Sequence, residues 1–141
     1  MGGVTGIDIS PTAIKKAQDK FYGINFSVVD IRKKAIKFVK NNYEKFDLII
    51  LKEIMWYVVP ELNRVINNVD SLLQKKGYLI VSNFFPPLEK AFYGKDTIKN
   101  PEALFNLFMT KKYSPIYFNA LNRFNVSDEG PLVICMYKKD E

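Results

Sequence analysis

The chain has 141 residues, one cysteine, no histidine and a net charge of +6. That length suits a single domain, residues 1–141, and an apolar fraction of 48% beside 26% charged residues is ordinary for a globular protein with a real core. The absence of histidine excludes Ser–His triads, histidine zinc sites and imidazole general bases, no metal ligand set is expected, and one cysteine permits no internal disulfide.

Residues 4–9 read as a strand ending near Asp8, and Ser10-Pro11 is a helix start, a cap residue followed by proline in the first turn. Ile14, Ala17 and Phe21 then fall at helical spacing. Gly23 punctuates before a second strand over 24–29 that ends at Asp30. Residues 33–44 suit a helix with Ile36, Val39 and Tyr43 on its apolar side. Residues 46–54, FDLIILKEI, form a near-continuous apolar run of the kind expected in a strand buried on both faces. Pro60 opens a helix whose stripe is Leu62, Val65, Ile66, Val69, Leu72 and Leu73, with Gly77 as its stop signal. GYLIVSNFF follows as another buried strand.

After Pro86-Pro87, residues 88–100 read as an irregular or partly helical lid, and Pro101 starts a helix through about Thr110. Two final strands, PIYFNALNRF and LVICMYKK, are joined across residues 125–131, where Asp128-Glu129-Gly130 signals a turn. Cys135 alternates with Val133 and Tyr137 and reads as inert packing. The order β-α-β-α-β-α-β-α-β-β indicates an α/β fold, with a mostly parallel sheet and a C-terminal antiparallel hairpin. No apolar run approaches 18 residues, so no membrane helix is expected, and the lone cysteine fits a cytoplasmic setting.

VTGIDISPTAIKKAQ, FSVVDI, FDLIILKEIMWYV and GYLIVSNFFP, in this order and spacing, resemble successive motifs of the class I S-adenosylmethionine-dependent methyltransferases. The nearest flavour is the NodS-like group that acts on small molecules. The resemblance implies a Rossmann-like methyltransferase sheet, S-adenosylmethionine as cofactor and a small-molecule acceptor methylated on nitrogen or oxygen. It implies that Asp8 accepts from the ribose hydroxyls with Ile9 beside the adenine, and that Asp30 accepts from the adenine amino group with Ile31 along the ring. Lys52 would lie along the methionine part. Glu53 would orient or deprotonate the acceptor, and Trp56 and Tyr57 would wall the transfer channel. Helix capping for Asp8, turn formation for Asp30 and core packing for Trp56 and Tyr57 are the competing structural roles.

Only seven residues precede Asp8, so the family's first strand, glycine-rich loop and following helix are missing, and the chain reads as N-terminally truncated. Their loss would leave a slot between the strands ending at Asp8 and Leu51. The two strands would pair directly, or a second copy or a partner chain would complete the sheet. Cofactor binding is then expected to be weak or partner-dependent, and the alternative is a non-catalytic methyltransferase-like interaction or regulatory module. Lys33, Lys37 and Lys40, with Arg32, Lys34 and Lys45 nearby, make a basic stripe that reads as a solvated face; nucleic acid is not the expected partner.

Overall fold

Ser10 and Pro11 start the first helix as their types dictate: the Ser10 hydroxyl accepts from Ala13 N at 3.2 Å, and proline sits where no donor is needed. This computed structural model describes residues 3–34, 36–87, 90–109, 112–121 and 130–141. The N-terminal unit is β1 (Thr5–Asp8), α1 (Pro11–Lys20) and β2 (Asn25–Val28), with β1 and β2 paired in parallel. Gly6 opposes Phe26 in that pair, and a Cβ at Gly6 would lie 2.6 Å from the Phe26 ring, so only glycine admits the aromatic here.

The remaining elements are α2 (Lys37–Asn41), β3 (Phe46–Lys52), α3 (Met55–Val58), a 3-10 turn (Val59–Glu61), α4 (Leu62–Leu72), β4 (Leu73–Phe84), α5 (Pro101–Phe108), β5 (Tyr113–Leu121) and β6 (Leu132–Lys139). Four strands form a second sheet in the order β3-β4-β6-β5, with β3-β4 parallel and the other two pairs antiparallel. This is an α/β arrangement with the C-terminal antiparallel pair in place. The expected turn residues Asp128 and Glu129, the strand end at 122–124 and Thr110 lie outside the described residues.

The slot exists. β1 and β3 do not pair, so the chain carries two separate sheets, and the direct pairing considered from the sequence does not occur. The main core belongs to the larger sheet: Leu51, Leu79, Val81, Val133, Cys135 and Tyr137 pack beneath α4 residues Val65 and Val69 and α5 residues Leu104 and Phe108. The N-terminal unit contributes only Ile31, partly buried, to this cluster, and within the unit itself Ile14 is the buried apolar side chain.

Three expectations are corrected. The run in β3 is not buried on both faces: Ile49 and Leu51 face the core, but Leu48 is 46% and Ile50 57% exposed. In register beside them lie Tyr78 and Ile80, then Met136 and Tyr117, so the sheet face opposite the core is apolar and uncovered by any described helix. The helix expected over 33–44 shrinks to Lys37–Asn41 because the preceding carbonyls are already engaged. Asn68 Nδ2 donates to Ile31 O at 2.7 Å and to Lys33 O at 3.1 Å, and Arg64 Nη1 donates to Arg32 O at 3.1 Å.

The long helical stretch also has other ends than expected. It begins at Met55 rather than Pro60, since Asn83 Oδ1 reaches across from β4 to accept from Met55 N at 3.2 Å. It stops at Leu72, five residues before Gly77, because its last carbonyls find partners outside the helix. Lys139 Nζ donates to Asp70 O and Leu73 O at 2.7 and 2.8 Å, while Glu44 N and Lys45 N donate to Ser71 O and Leu72 O. Gly77 instead permits a tight approach inside β4, where a Cβ would lie 2.9 Å from Gln74 O.

Across the junction between the two units, α4 side chains bond the 31–33 backbone and Ile31 packs against the core. Asn68→Ala is expected to cost about 1–2 kcal/mol, the usual penalty for stranding partly buried acceptors. Urea unfolding should show that loss, and hydrogen exchange should speed up in β1 and β2 but not in β4 and β6. Unchanged exchange in β1 and β2 would show that another contact holds the unit.

Candidate functional site

Because β1 and β2 are adjacent and parallel, their carboxyl ends bring Asp8 and Asp30 to one edge; Asp8 pairs with Val28, and Val29 N donates to Asp8 O at 2.9 Å. Asp8 is exposed, its Oδ1 accepting from Ser10 N at 2.7 Å, which leaves Oδ2 open. The carboxylate therefore shapes the turn into α1, while the helix cap itself is Ser10. Ile9 follows it, exposed at the same edge. An exposed carboxylate with free acceptor positions and a neighbouring apolar side chain suits a ribose and the edge of a base.

Asp30 is engaged differently. Its Oδ1 accepts from Arg32 N at 3.1 Å and Arg32 Nε at 2.8 Å, and its Oδ2 from Arg32 Nη2 at 3.0 Å. This bidentate fork holds the Asp30 carboxyl below its ordinary pKa. Ile31 turns the other way, against the core.

At the carboxyl end of β3, Lys52 is exposed and Glu53 has φ 55°, a left-handed backbone that disfavours a residue with a side chain. Both its backbone and its side chain are tied to the exit of β4: Glu53 N donates to Ser82 O at 2.8 Å, and Glu53 Oε2 accepts from Phe84 N at 2.9 Å. The carboxylate thus replaces the next rung of the sheet. Asn83, fully buried, adds the second tie: it accepts from Met55 N and donates to Phe84 O at 2.9 Å, an oxygen that also receives the Trp56 indole N–H at 2.8 Å. Trp56 packs edge-on to Phe85 and Phe92, with ring centroids 5.0 and 5.1 Å away. Tyr57 faces outward, 73% exposed.

The candidate residues therefore fall into two groups. Asp8, Ile9 and Asp30 lie at the carboxyl end of the small sheet, with Ile31 turned to the main core; Lys52, Glu53 and Tyr57 lie at the exit of the large one. Arg32, Arg64, Asn68 and Asn83 were not singled out from the sequence as site residues, although they fix the candidates in place. Asn83 had a readable signal, a polar residue in the inward register of Leu79 and Val81. Arg64 and Asn68 had only their i,i+4 spacing on one side of a helix.

Strand order, the two acids at adjacent strand ends and the site at the carboxyl ends of parallel strands define the Rossmann-like methyltransferase fold. Residues 1–120 match the methyltransferase-domain family, and the chain belongs to it. No curated protein matches the chain.

Among solved structures, the chain is similar to the N-methyltransferase NodS from Bradyrhizobium japonicum WM9, with a TM-score of 0.69 and 18% identity over 99% of this chain and 74% of that one. It is similar to a SAM-dependent methyltransferase from Methanosarcina mazei, with a TM-score of 0.69 and 17% identity, covering 98% of this chain and 82% of that one. A third similar structure is an S-adenosylmethionine-dependent methyltransferase from Mesorhizobium loti, with a TM-score of 0.69 and 13% identity, covering 97% of this chain and 80% of that one. At these identities the likeness is one of fold.

The Glu53 tie is testable. Glu53→Ala removes the acceptor that Phe84 N uses and is expected to cost about 1–3 kcal/mol in urea unfolding, the scale of a lost hydrogen bond to a charged group. Glu53→Gln keeps an acceptor and should cost much less; equal losses for the two would show that the carboxylate charge, not the rung it supplies, is what matters.

Proposed function

We propose that the protein transfers a methyl group from S-adenosylmethionine to the nitrogen or oxygen of a small-molecule acceptor. The observation that carries this reading is the pair of acids at adjacent parallel strand ends, Asp8 with an open oxygen and the exposed Ile9 after it, and Asp30 held ionised. Asp8 accepts from the ribose hydroxyls and Asp30 from the adenine amino group, with Ile9 against the base and Ile31 bracing the turn from the core side. These residues fit the adenosine part of the cofactor. Bound S-adenosylmethionine supplies an already activated methyl group, so transfer rests on alignment with the acceptor rather than on a strong base. Lys52 lies along the amino-acid part, while Glu53 and Tyr57 face the acceptor, with Glu53 orienting its amine or hydroxyl. The single buried cysteine agrees with a cytoplasmic setting.

We further propose that this activity depends on a strand that the described residues do not supply. The edges of β1 and β3 that face the slot are unpaired in the described residues, and the apolar face carrying Leu48, Ile50, Tyr78 and Met136 adjoins that slot. A strand seated between β1 and β3, leading into a helix across that face, would satisfy both features. Lys52 and Lys138 flank the face, with Asp140 held by Ser114 beside the Lys138 row, so two copies laid face to face would set more lysines than carboxylates against each other. A separate segment with acidic flanks suits it better than a second copy. Without that segment the amino-acid part of the cofactor lacks backbone donors, which makes binding by this chain weak. A non-catalytic methyltransferase-like module is the reading left if the adenosine half binds nothing.

Two measurements test these statements. Calorimetry with S-adenosylhomocysteine should give micromolar to millimolar binding that is lost on Asp8→Ala; no heat at millimolar ligand overturns the cofactor reading. Sedimentation should give a monomer at micromolar concentration, and a defined dimer would assign completion of the sheet to a second copy.

A further inference from the structure

A carboxylate offers two oxygens and about four acceptor positions. At Asp30, three are taken by one residue: Arg32 N and Nε on Oδ1, and Arg32 Nη2 on Oδ2. The guanidinium is planar and always charged, so this fork fixes both the rotation of the carboxylate and its ionised state in a way that an ammonium cannot. Arg32 is itself anchored. Its carbonyl accepts from Arg64 Nη1 at 3.1 Å, Arg64 pairs with Glu61 at 2.7 Å, and Asn68 holds the carbonyls on either side. Asp30 is left with one acceptor position, on Oδ2, in a side chain that is otherwise 15% exposed.

We propose that Arg32 is a specificity-determining residue: by forking Asp30 it leaves one fixed, acceptor-only position that takes the exocyclic amino group of a 6-aminopurine and rejects a 6-oxopurine. The proposal rests on the reading that Asp30 faces the base of the cofactor. A 6-amino group donates one N–H to the open Oδ2 position. A 6-oxo group sets a carbonyl oxygen against an ionised oxygen, with no proton between them. Were the fork absent, the carboxyl group could rotate, and it could take up a proton and donate to the 6-oxo group. Discrimination then falls even though Asp30 remains. The effect belongs to the guanidinium and not merely to a nearby positive charge, because only a fork fixes both oxygens at once.

The test is calorimetric titration of the 141-residue protein with S-adenosylhomocysteine and with S-inosylhomocysteine, comparing the unaltered chain, Arg32→Gln and Arg32→Lys. The unaltered protein should prefer the adenosyl ligand, and Arg32→Gln should reduce that preference roughly tenfold, the scale of one charge-assisted hydrogen bond. Arg32→Lys, which keeps the charge and loses the fork, should fall with Arg32→Gln. A preference unchanged in both variants overturns the proposal and leaves the cofactor reading standing. An equal change in affinity for the two ligands also overturns it, since a merely structural or obstructing Arg32 would act on both alike. No binding of either ligand to the unaltered protein at millimolar concentration overturns the cofactor reading and the proposal together. Thermal melts check the folding of each variant, and if Arg32→Gln does not fold, the Arg32→Lys ratio decides.

Discussion

The organisation of this protein follows from one requirement, that the polar backbone groups of a strand find partners. Around the slot they do so within two sheets rather than one, and the junction between the sheets is left to side chains. Asn68 and Arg64, one turn apart on α4, donate to three successive carbonyls at 31–33. These bonds shorten the following helix and fix the backbone just after Asp30 against α4. With a core of its own limited to Ile14 and a few half-buried neighbours, the N-terminal unit has little else to define its position. A small number of hydrogen bonds, each modest in net value, therefore sets the relation between the two halves of the candidate site.

β4 shows the same economy at both of its ends. Where α4 meets it, Lys139 from β6 closes the Asp70 and Leu73 carbonyls and sits 3.4 Å from the Asp70 carboxylate. Burial beside Asp70 pushes the Tyr113 hydroxyl well above its ordinary pKa. At the exit, Glu53, Asn83 and Trp56 all converge on the Phe84 peptide. Between these ends the interior is apolar, with Cys135 and Tyr137 fully buried and the Tyr137 hydroxyl donating to Phe105 O at 2.9 Å. Burial also raises the Cys135 thiol, which agrees with packing rather than reactivity. Asn83 and Tyr137 place their polar atoms in this core where they bond backbone groups, whereas the buried Tyr113 hydroxyl has no hydrogen-bond partner among the described residues.

That pattern explains what could be read from the sequence and what could not. Strands and caps were legible because their signals are local: Ser10-Pro11, Pro101 and the alternation of Val133, Cys135 and Tyr137 need no tertiary information. The separation of the two sheets was not settled by the sequence, where direct pairing of the strands ending at Asp8 and Leu51 was one of three solutions. Helix ends were not legible, because the groups that end α4 come from residues 44–45 and from Lys139, distant in sequence. Burial of β3 was misread because a continuous apolar run reports hydrophobicity and not whether anything covers it. At the candidate site, Asp8 and Asp30 could be named from their places at strand ends, but the Arg32 fork and the Asn83 tie depend on geometry that spacing alone does not encode.

The division into two sheets also bears on how a ligand would act here. Asp8 and Asp30 ride on the small sheet, whereas Lys52, Glu53 and Tyr57 ride on the large one. A cofactor that touches both groups adds new bonds across a junction otherwise made by Arg64 and Asn68. Binding and the ordering of the N-terminal unit then become one linked equilibrium, in which ligand affinity is reduced by whatever fraction of the protein has the unit displaced. A strand seated in the slot would act on the same equilibrium from within, since it hydrogen-bonds to β1 and β3 together. In a fold of this kind a strand seated there would affect more than its own contacts: it would decide how often the two halves of the candidate site face each other.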